Sequence, residues 1–257
     1  MNPKIIVYDF DRGLKSIGSD EQIEQHFGYK PRRFIKTKSA FEFFASIHKP
    51  GVIKTTDALG DVEEEYWRTK PGIDIEVLDS ITAFSANKKK ELKGTSSKVT
   101  LPQYGELGEA VEDLVLLLTR TDKHAIIISH VAPEKDDDLG IIRYVPGLTG
   151  KMKEQVGRYF DIIAYTHVKS DPKNPGKKEY LWQVLADERR DAKSRIDKIS
   201  EYAAQNNGCI PQDFELLFNL AEGYPALKIL ILGNSGTGKT YSLKSLSKIQ
   251  IPITKAA

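Results

Sequence analysis

The sequence predicts an α/β fold, with a mostly parallel central sheet covered by helices on both faces. Three observations predict it. Six short runs are apolar nearly throughout, as strands buried on both sides are: residues 4–10, 73–80, 124–131, 161–168, 179–187 and 227–233. Helical patterns separate most of these runs, which is the alternation of a parallel sheet. The exception is KSDPKNPGKK, 169–178, a Pro/Gly turn too short for a helical crossover, so 161–168 and 179–187 form an antiparallel hairpin.

In chain order, the first strand (4–10) is followed by SDEQIEQHFG, where Ser19 or Asp20 caps a helix and Gly28 stops it. Phe41, Phe44 and Ile47 share one helical face, as do Leu107, Val111, Leu114, Val115 and Leu118. Residues 86–105 and 132–149 are polar and rich in breakers, and are expected to be mobile loops projecting from strand ends. The run 227–233 is a strand and TYSLKSLSKI, 240–249, a helix.

The chain of 257 residues is long enough for one enzyme-sized domain, expected over residues 1–257 because no linker divides it. A formal charge of +2 excludes a polycation that coats nucleic acid, so any such contact is local. Cys209 is the single cysteine, which excludes disulfides within the chain and suits a reducing compartment. No apolar run approaches a membrane span and the start lacks a signal-peptide pattern, so a cytoplasmic location is expected.

The strongest signal is GNSGTGKT, residues 233–240. Gly233, Gly238, Lys239 and Thr240 satisfy G-x-x-x-x-G-K-[ST], and Asn234, Ser235, Gly236, Thr237 and Tyr241 complete the stretch expected to surround a nucleotide. Glycines let backbone N–H groups turn toward phosphates, Lys239 neutralises them, and Thr240 offers a hydroxyl to Mg²⁺. Only seventeen residues follow the loop, yet such a loop leads through a helix to another parallel strand. Residues 4–10 supply that strand if the chain is circularly permuted, since chain ends commonly lie close together. The strand 73–80 ends in Asp79, the carboxylate expected to hold Mg²⁺ with Thr240.

In rotated order the chain resembles the RecA-like P-loop ATPases, especially the minimal recombination and single-strand-annealing ATPases encoded by phages. The resemblance implies a RecA-like sheet with a C-terminal-type antiparallel hairpin. It also implies ATP and Mg²⁺ as cofactors, and a catalytic acid after the first strand. In VYDFDRGL that acid is Asp11, with Asp9 as the second candidate. His130, ending the run 124–131, takes the place of the polar residue that senses the γ-phosphate, and Ser129 is a weaker candidate. Lys193 and Arg195, then Arg189 and Arg190, are candidates to reach a neighbouring copy's nucleotide.

Lys88, Lys89, Lys90, Lys93 and Lys98, with Tyr104, form a basic stretch with an aromatic that suits single-stranded DNA. In the second stretch, KDDDLG is acidic, and Arg143, Tyr144 and Lys151 are the contacts expected there. The expected function is Mg²⁺-dependent ATP hydrolysis on single-stranded DNA in phage-type recombination or annealing. The resemblance implies a ring or filament of identical chains, a single-strand-binding protein as a further partner, and the host cytoplasm as the location. A small-molecule or nucleotide kinase, a nucleotide-gated binding protein with negligible turnover, and a hexameric helicase remain as alternatives.

Overall fold

The computed structural model describes residues 3–34, 36–40, 73–171 and 174–249. The predicted helical face of Phe41, Phe44 and Ile47 lies outside them. The strands are β1 (Ile5–Asp9), β2 (Arg32–Arg33), β3 (Ile75–Asp79), β4 (His124–Asp136), β5 (Ile141–Pro146), β6 (Ile162–Asp171), β7 (Asn174–Gln183), β8 (Lys193–Ser194), β9 (Cys209–Pro211) and β10 (Lys228–Gly233). They form one sheet in the order β2-β1-β3-β4-β10-β6-β7-β9, with β5 paired to β4 and β8 to β6. From β2 to β6 all neighbours on this path are parallel. The last strand in sequence, β10, therefore lies in the middle of the sheet, between β4 and β6.

Parallel pairing gathers the strand ends along one edge. Asp9 sits opposite Asp79, and Gly233 opposite His130. Successive residues alternate between two buried layers. Val7, Val77, Ile128 and Ile231 pack with Leu243 and Leu246 on one face, while Tyr8, Leu78, Ile127 and Leu230 pack on the other. The first helix, α1 (Asp20–Phe27), is capped by Ser19 and ends at Gly28 with φ 82°, so the cap falls on the first of the two residues considered.

Two expectations are corrected. Residues 86–105 are not a loop, because α2 (Ile81–Lys93) covers the lysine run and α3 (Leu101–Thr119) begins before Tyr104. No breaker interrupts 81–93, Lys and Glu favour helix, the Ser80 side chain caps α2, and Thr100 with Gln103 forms a capping box for α3. The two helices run antiparallel, tied by Lys88 to Glu106 (3.6 Å) and by the Gln103 amide to the Leu92 carbonyl (2.6 Å). The polar composition misled because α2 buries only its first turns, through Ile81, Phe84 and Ser85.

Residues 132–149 are likewise mostly an ordered hairpin. β4 runs on past the sheet to Asp136 and pairs antiparallel with β5. Asp136 Oδ1 accepts from Leu139 N at 3.1 Å and Gly140 takes φ 66°, so the acidic stretch is a turn between β-forming residues. The predicted hairpin of β6 and β7 is present and antiparallel. The helix expected over 240–249 is a short α7 (Lys239–Ser242) continued by a 3-10 stretch. Before it lie α4 (Met152–Gln155), α5 (Asp197–Ala204) and α6 (Phe214–Leu220). Among the described residues, no helix is long and apolar enough to cross a membrane.

Candidate nucleotide site

The phosphate loop joins the end of β10 to the start of α7. Gly236 and Gly238 have φ of 77° and 85°, a left-handed backbone that only glycine adopts at little cost. Two neighbours brace the loop through hydrogen bonds. Thr166 Oγ1 on β6 donates to Thr237 Oγ1 at 2.6 Å, and Thr237 Oγ1 donates to the Asn234 carbonyl at 2.7 Å. Gln212, just past β9, donates to the carbonyls of Thr237 (3.1 Å) and Leu181 (3.0 Å). A Cβ on Gly233 would run into the Thr166 hydroxyl, and one on Gly238 would lie 3.0 Å from the Tyr180 ring.

Lys239 Nζ is drawn inward, donating to the carbonyls of Gly233 (2.9 Å) and Asn234 (2.7 Å). Burial lowers its pKa, against the pull of Asp79 and Asp11. Thr240 Oγ1 donates to Asp79 Oδ2 at 2.8 Å. Burial pushes the Asp79 carboxyl up to about 6; the Thr240 hydrogen bond and Lys239 oppose this, while Asp11 and Asp9 add to it. Gly13 packs here too: a Cβ on it would lie 3.4 Å from Thr240 Oγ1 and 3.5 Å from Asp79 Oδ2.

Asp11 follows β1 and turns toward the same pocket. Its Oδ2 accepts from Ser80 Oγ at 2.5 Å and lies 3.2 Å from His130 Nε2. Burial acts to raise its pKa, but hydrogen bonds from His130 and Ser80, with the charges of His130 and Lys239, bring it below the ordinary value. Asp9 differs, being almost fully buried with Arg33 Nε 3.6 Å from its Oδ2. Burial raises its pKa against the Arg12 and Gly13 amides and the Arg33 charge. The His130 backbone is held on both sides: its N–H donates to Thr82 Oγ1 at 3.0 Å, and its carbonyl accepts from Gly147 N at 2.7 Å. Ser129 Oγ lies 3.0 Å from the same Thr82 hydroxyl.

The structure thus brings together Lys239, Thr240, Asp79, Asp11 and His130, with Asp9 nearby. Sequence reasoning missed Ser80, Gly13, Thr82, Thr166, Tyr180 and Gln212. Ser80 and Gly13 had a signal, each lying beside a singled-out strand end; Thr166 and Gln212 had none, because their roles depend on the sheet order. Among the described residues, no group of three or more His, Cys, Asp or Glu is placed to hold a metal. Thr240 with Asp79 is a hydroxyl–carboxylate pair, the oxygen set that suits Mg²⁺, which keeps most of its waters.

The other candidates lie apart from this pocket. Lys193 pairs with Ile163 near the start of β6, and its Nζ donates inward to the Gly157 carbonyl at 2.7 Å. Arg195 lies 3.5 Å from Asp161, Arg190 is held by Asp187 and Gln183 and covers the Tyr144 ring, and Arg189 N donates to Asp187. Arg143 is engaged by Asp191 (2.6 Å) and Asp136 (3.7 Å). Lys89 lies over the Tyr104 ring, Lys90 and Lys93 end α2, Lys98 is in the connection to α3, and Lys151 precedes α4.

Residues 1–196 match the family described as AAA domain, a match that ends before the phosphate loop. No curated protein and no solved structure matches the chain. A family match over most of the chain, joined to a phosphate loop set at the edge of its central sheet, makes this chain a member of the AAA domain family and a nucleotide-binding P-loop ATPase.

Proposed function

We propose that the chain is a circularly permuted, RecA-like member of these ATPases that hydrolyses ATP with Mg²⁺ while acting on single-stranded DNA as an oligomer. The observation that carries this reading is the convergence of Lys239 and Thr240 from one end of the chain with Asp11 from the other, around Asp79 and His130. The central position of β10 and the packing of the 3-10 stretch after α7 near α1 support the rotated order. Lys90 and Lys93, exposed at the end of α2, and Lys89 over the Tyr104 ring support the DNA reading, and their place in a helix pair replaces the expected loop.

Lys239 and the loop amides bind the phosphates, and Lys239 gives up its two carbonyl partners to do so. Thr240 and Asp79 would hold the magnesium ion, which neutralises charge on the phosphate oxygens when bound. Asp11, ionised and fixed by Ser80 and His130, accepts a hydrogen bond from the attacking water and orients it. Asp9 sets the turn that presents Asp11. His130 links this point to the β4–β5 hairpin through its backbone. Of the residues proposed to act on a neighbouring copy, Arg195 and Arg189 are better placed than Lys193, whose ammonium faces inward. We extend the proposal to a single-strand-binding protein as partner and to a phage-type recombination or annealing role.

The test is ATP turnover by the wild type and Lys239→Ala, each with and without single-stranded DNA. Free phosphate as product, DNA stimulation, and loss of turnover in the variant are expected. A phosphorylated acceptor, DNA-independent turnover, or an active variant overturns the reading.

A further inference from the structure

We propose that the projecting part of the β6–β7 hairpin is a contact for the sugar–phosphate backbone of single-stranded DNA, and that its root passes occupancy to the phosphate loop. This inference rests on the DNA reading above and adds the place of contact and its coupling.

β6 pairs with β10 only as far as Tyr165, opposite Leu232, and β7 pairs with β9 no further out than Leu181. Beyond those points Val168–Ser170 pairs with Lys178–Tyr180, making a short two-stranded ribbon past the edge that carries the phosphate loop, with His167 opposite Leu181 and Thr166 opposite Trp182 at its root. His167, Lys169, Lys177, Lys178, Glu179 and Tyr180 are all exposed. An isolated two-stranded ribbon is marginal in water. Among the described residues, no carboxylate lies within 4.0 Å of Lys169, Lys177 or Lys178, and only Asp171 and Glu179 oppose them in sequence. The neighbouring β4–β5 hairpin has the opposite character: Glu134 and Asp136–Asp138 line it, and Arg143 is already engaged by Asp191. Charge complementarity therefore directs a polyanion to the ribbon, and the exposed Tyr180 offers a ring to a base.

The root of the ribbon reaches the loop. Thr166 donates to Thr237, the Tyr180 ring abuts Gly238, and Gln212 joins the Leu181 carbonyl on β7 to the Thr237 carbonyl. A shift of the ribbon on binding DNA is felt by the loop, and nucleotide and DNA then change each other's affinity by one common factor.

The experiment measures binding of a fluorescent oligothymidylate by anisotropy over a salt series, with and without a non-hydrolysed ATP analogue. The proteins are wild type, Lys169→Ala/Lys177→Ala/Lys178→Ala, Thr166→Val and Thr166→Ser. For the triple variant we expect about tenfold weaker binding or more, and a log–log salt slope shallower by about 2, the value for three lost phosphate contacts on a single strand. Its thermal midpoint and DNA-free ATP turnover stay at wild-type values. Thr166→Val keeps DNA affinity without nucleotide but loses the change that the analogue produces, and Thr166→Ser restores it. Wild-type affinity and slope in the triple variant overturn the site, and an unchanged analogue effect in Thr166→Val overturns the coupling. Absence of oligothymidylate binding by the wild type sinks the DNA reading and this inference together.

Discussion

Replacing Asp79 by Asn should stabilise the nucleotide-free protein while abolishing turnover. Asp79 is 2% exposed, and burial pushes its carboxyl from the ordinary 3.8 up to about 6 in the folded chain. A raised carboxyl pKa means that the folded state holds the proton more tightly than the unfolded state, so stability falls as pH rises through the interval between the two values. At 1.36 kcal/mol per pKa unit, the ionised carboxylate costs about 3 kcal/mol above pH 7, about half that at pH 5, and almost nothing below pH 4. Asn keeps an acceptor for the Thr240 hydroxyl and cannot ionise. At about 2–4 °C per kcal/mol for a chain of this size, the variant should melt roughly 6–12 °C higher at pH 7.5. The assay is thermal or urea unfolding of both proteins with EDTA and without nucleotide, at pH 7.5, 6, 5 and 4. The difference should shrink steadily toward pH 4, and added Mg²⁺ with nucleotide should stabilise the wild type more than the variant. A variant no more stable than wild type at pH 7.5, or a difference that ignores pH, refutes the reasoning.

Asp11→Asn should lower kcat by about 100-fold or more while the nucleotide-induced rise in melting temperature persists, as expected for a group that acts on water and not on the phosphates; kinetics and thermal shift on one preparation check this. Ser80→Ala removes both the donor to Asp11 and the α2 cap, so about 1 kcal/mol of stability should go together with part of the turnover. Ser80→Thr should recover the stability in urea unfolding. Gly233→Ala should weaken nucleotide binding sharply because its methyl group meets the Thr166 hydroxyl, and Thr166→Gly in the same chain should return part of that binding in a titration.

The sheet and its chemistry were legible where one residue type does one job. GNSGTGKT fixes its own loop, and Asp79 and His130 stand out because a polar residue closes an apolar run, although β4 itself runs on past His130 to Asp136. The basic stretch 88–93 was not legible as helix, since a helix that buries two or three side chains shows little periodicity. The β4–β5 hairpin was hidden by its three aspartates, which mark a turn and not a loop throughout. Residues that brace the phosphate loop were out of reach. Thr166 and Gln212 lie 71 and 25 residues from Thr237 in sequence, and only the pairing of β10 beside β6 brings them to it.

The middle place of β10 also bears on how the protein is made. A ribosome working at roughly 5–20 residues per second releases β1, β3 and β4 first, and then β6, β7 and β9, well before residues 228–233 emerge. Until then two open strand borders face a gap, each able to pair with the wrong partner. Translation must therefore pass residue 233 before the two half-sheets can be stitched, and a nascent chain gains its grip on nucleotide only at that late moment.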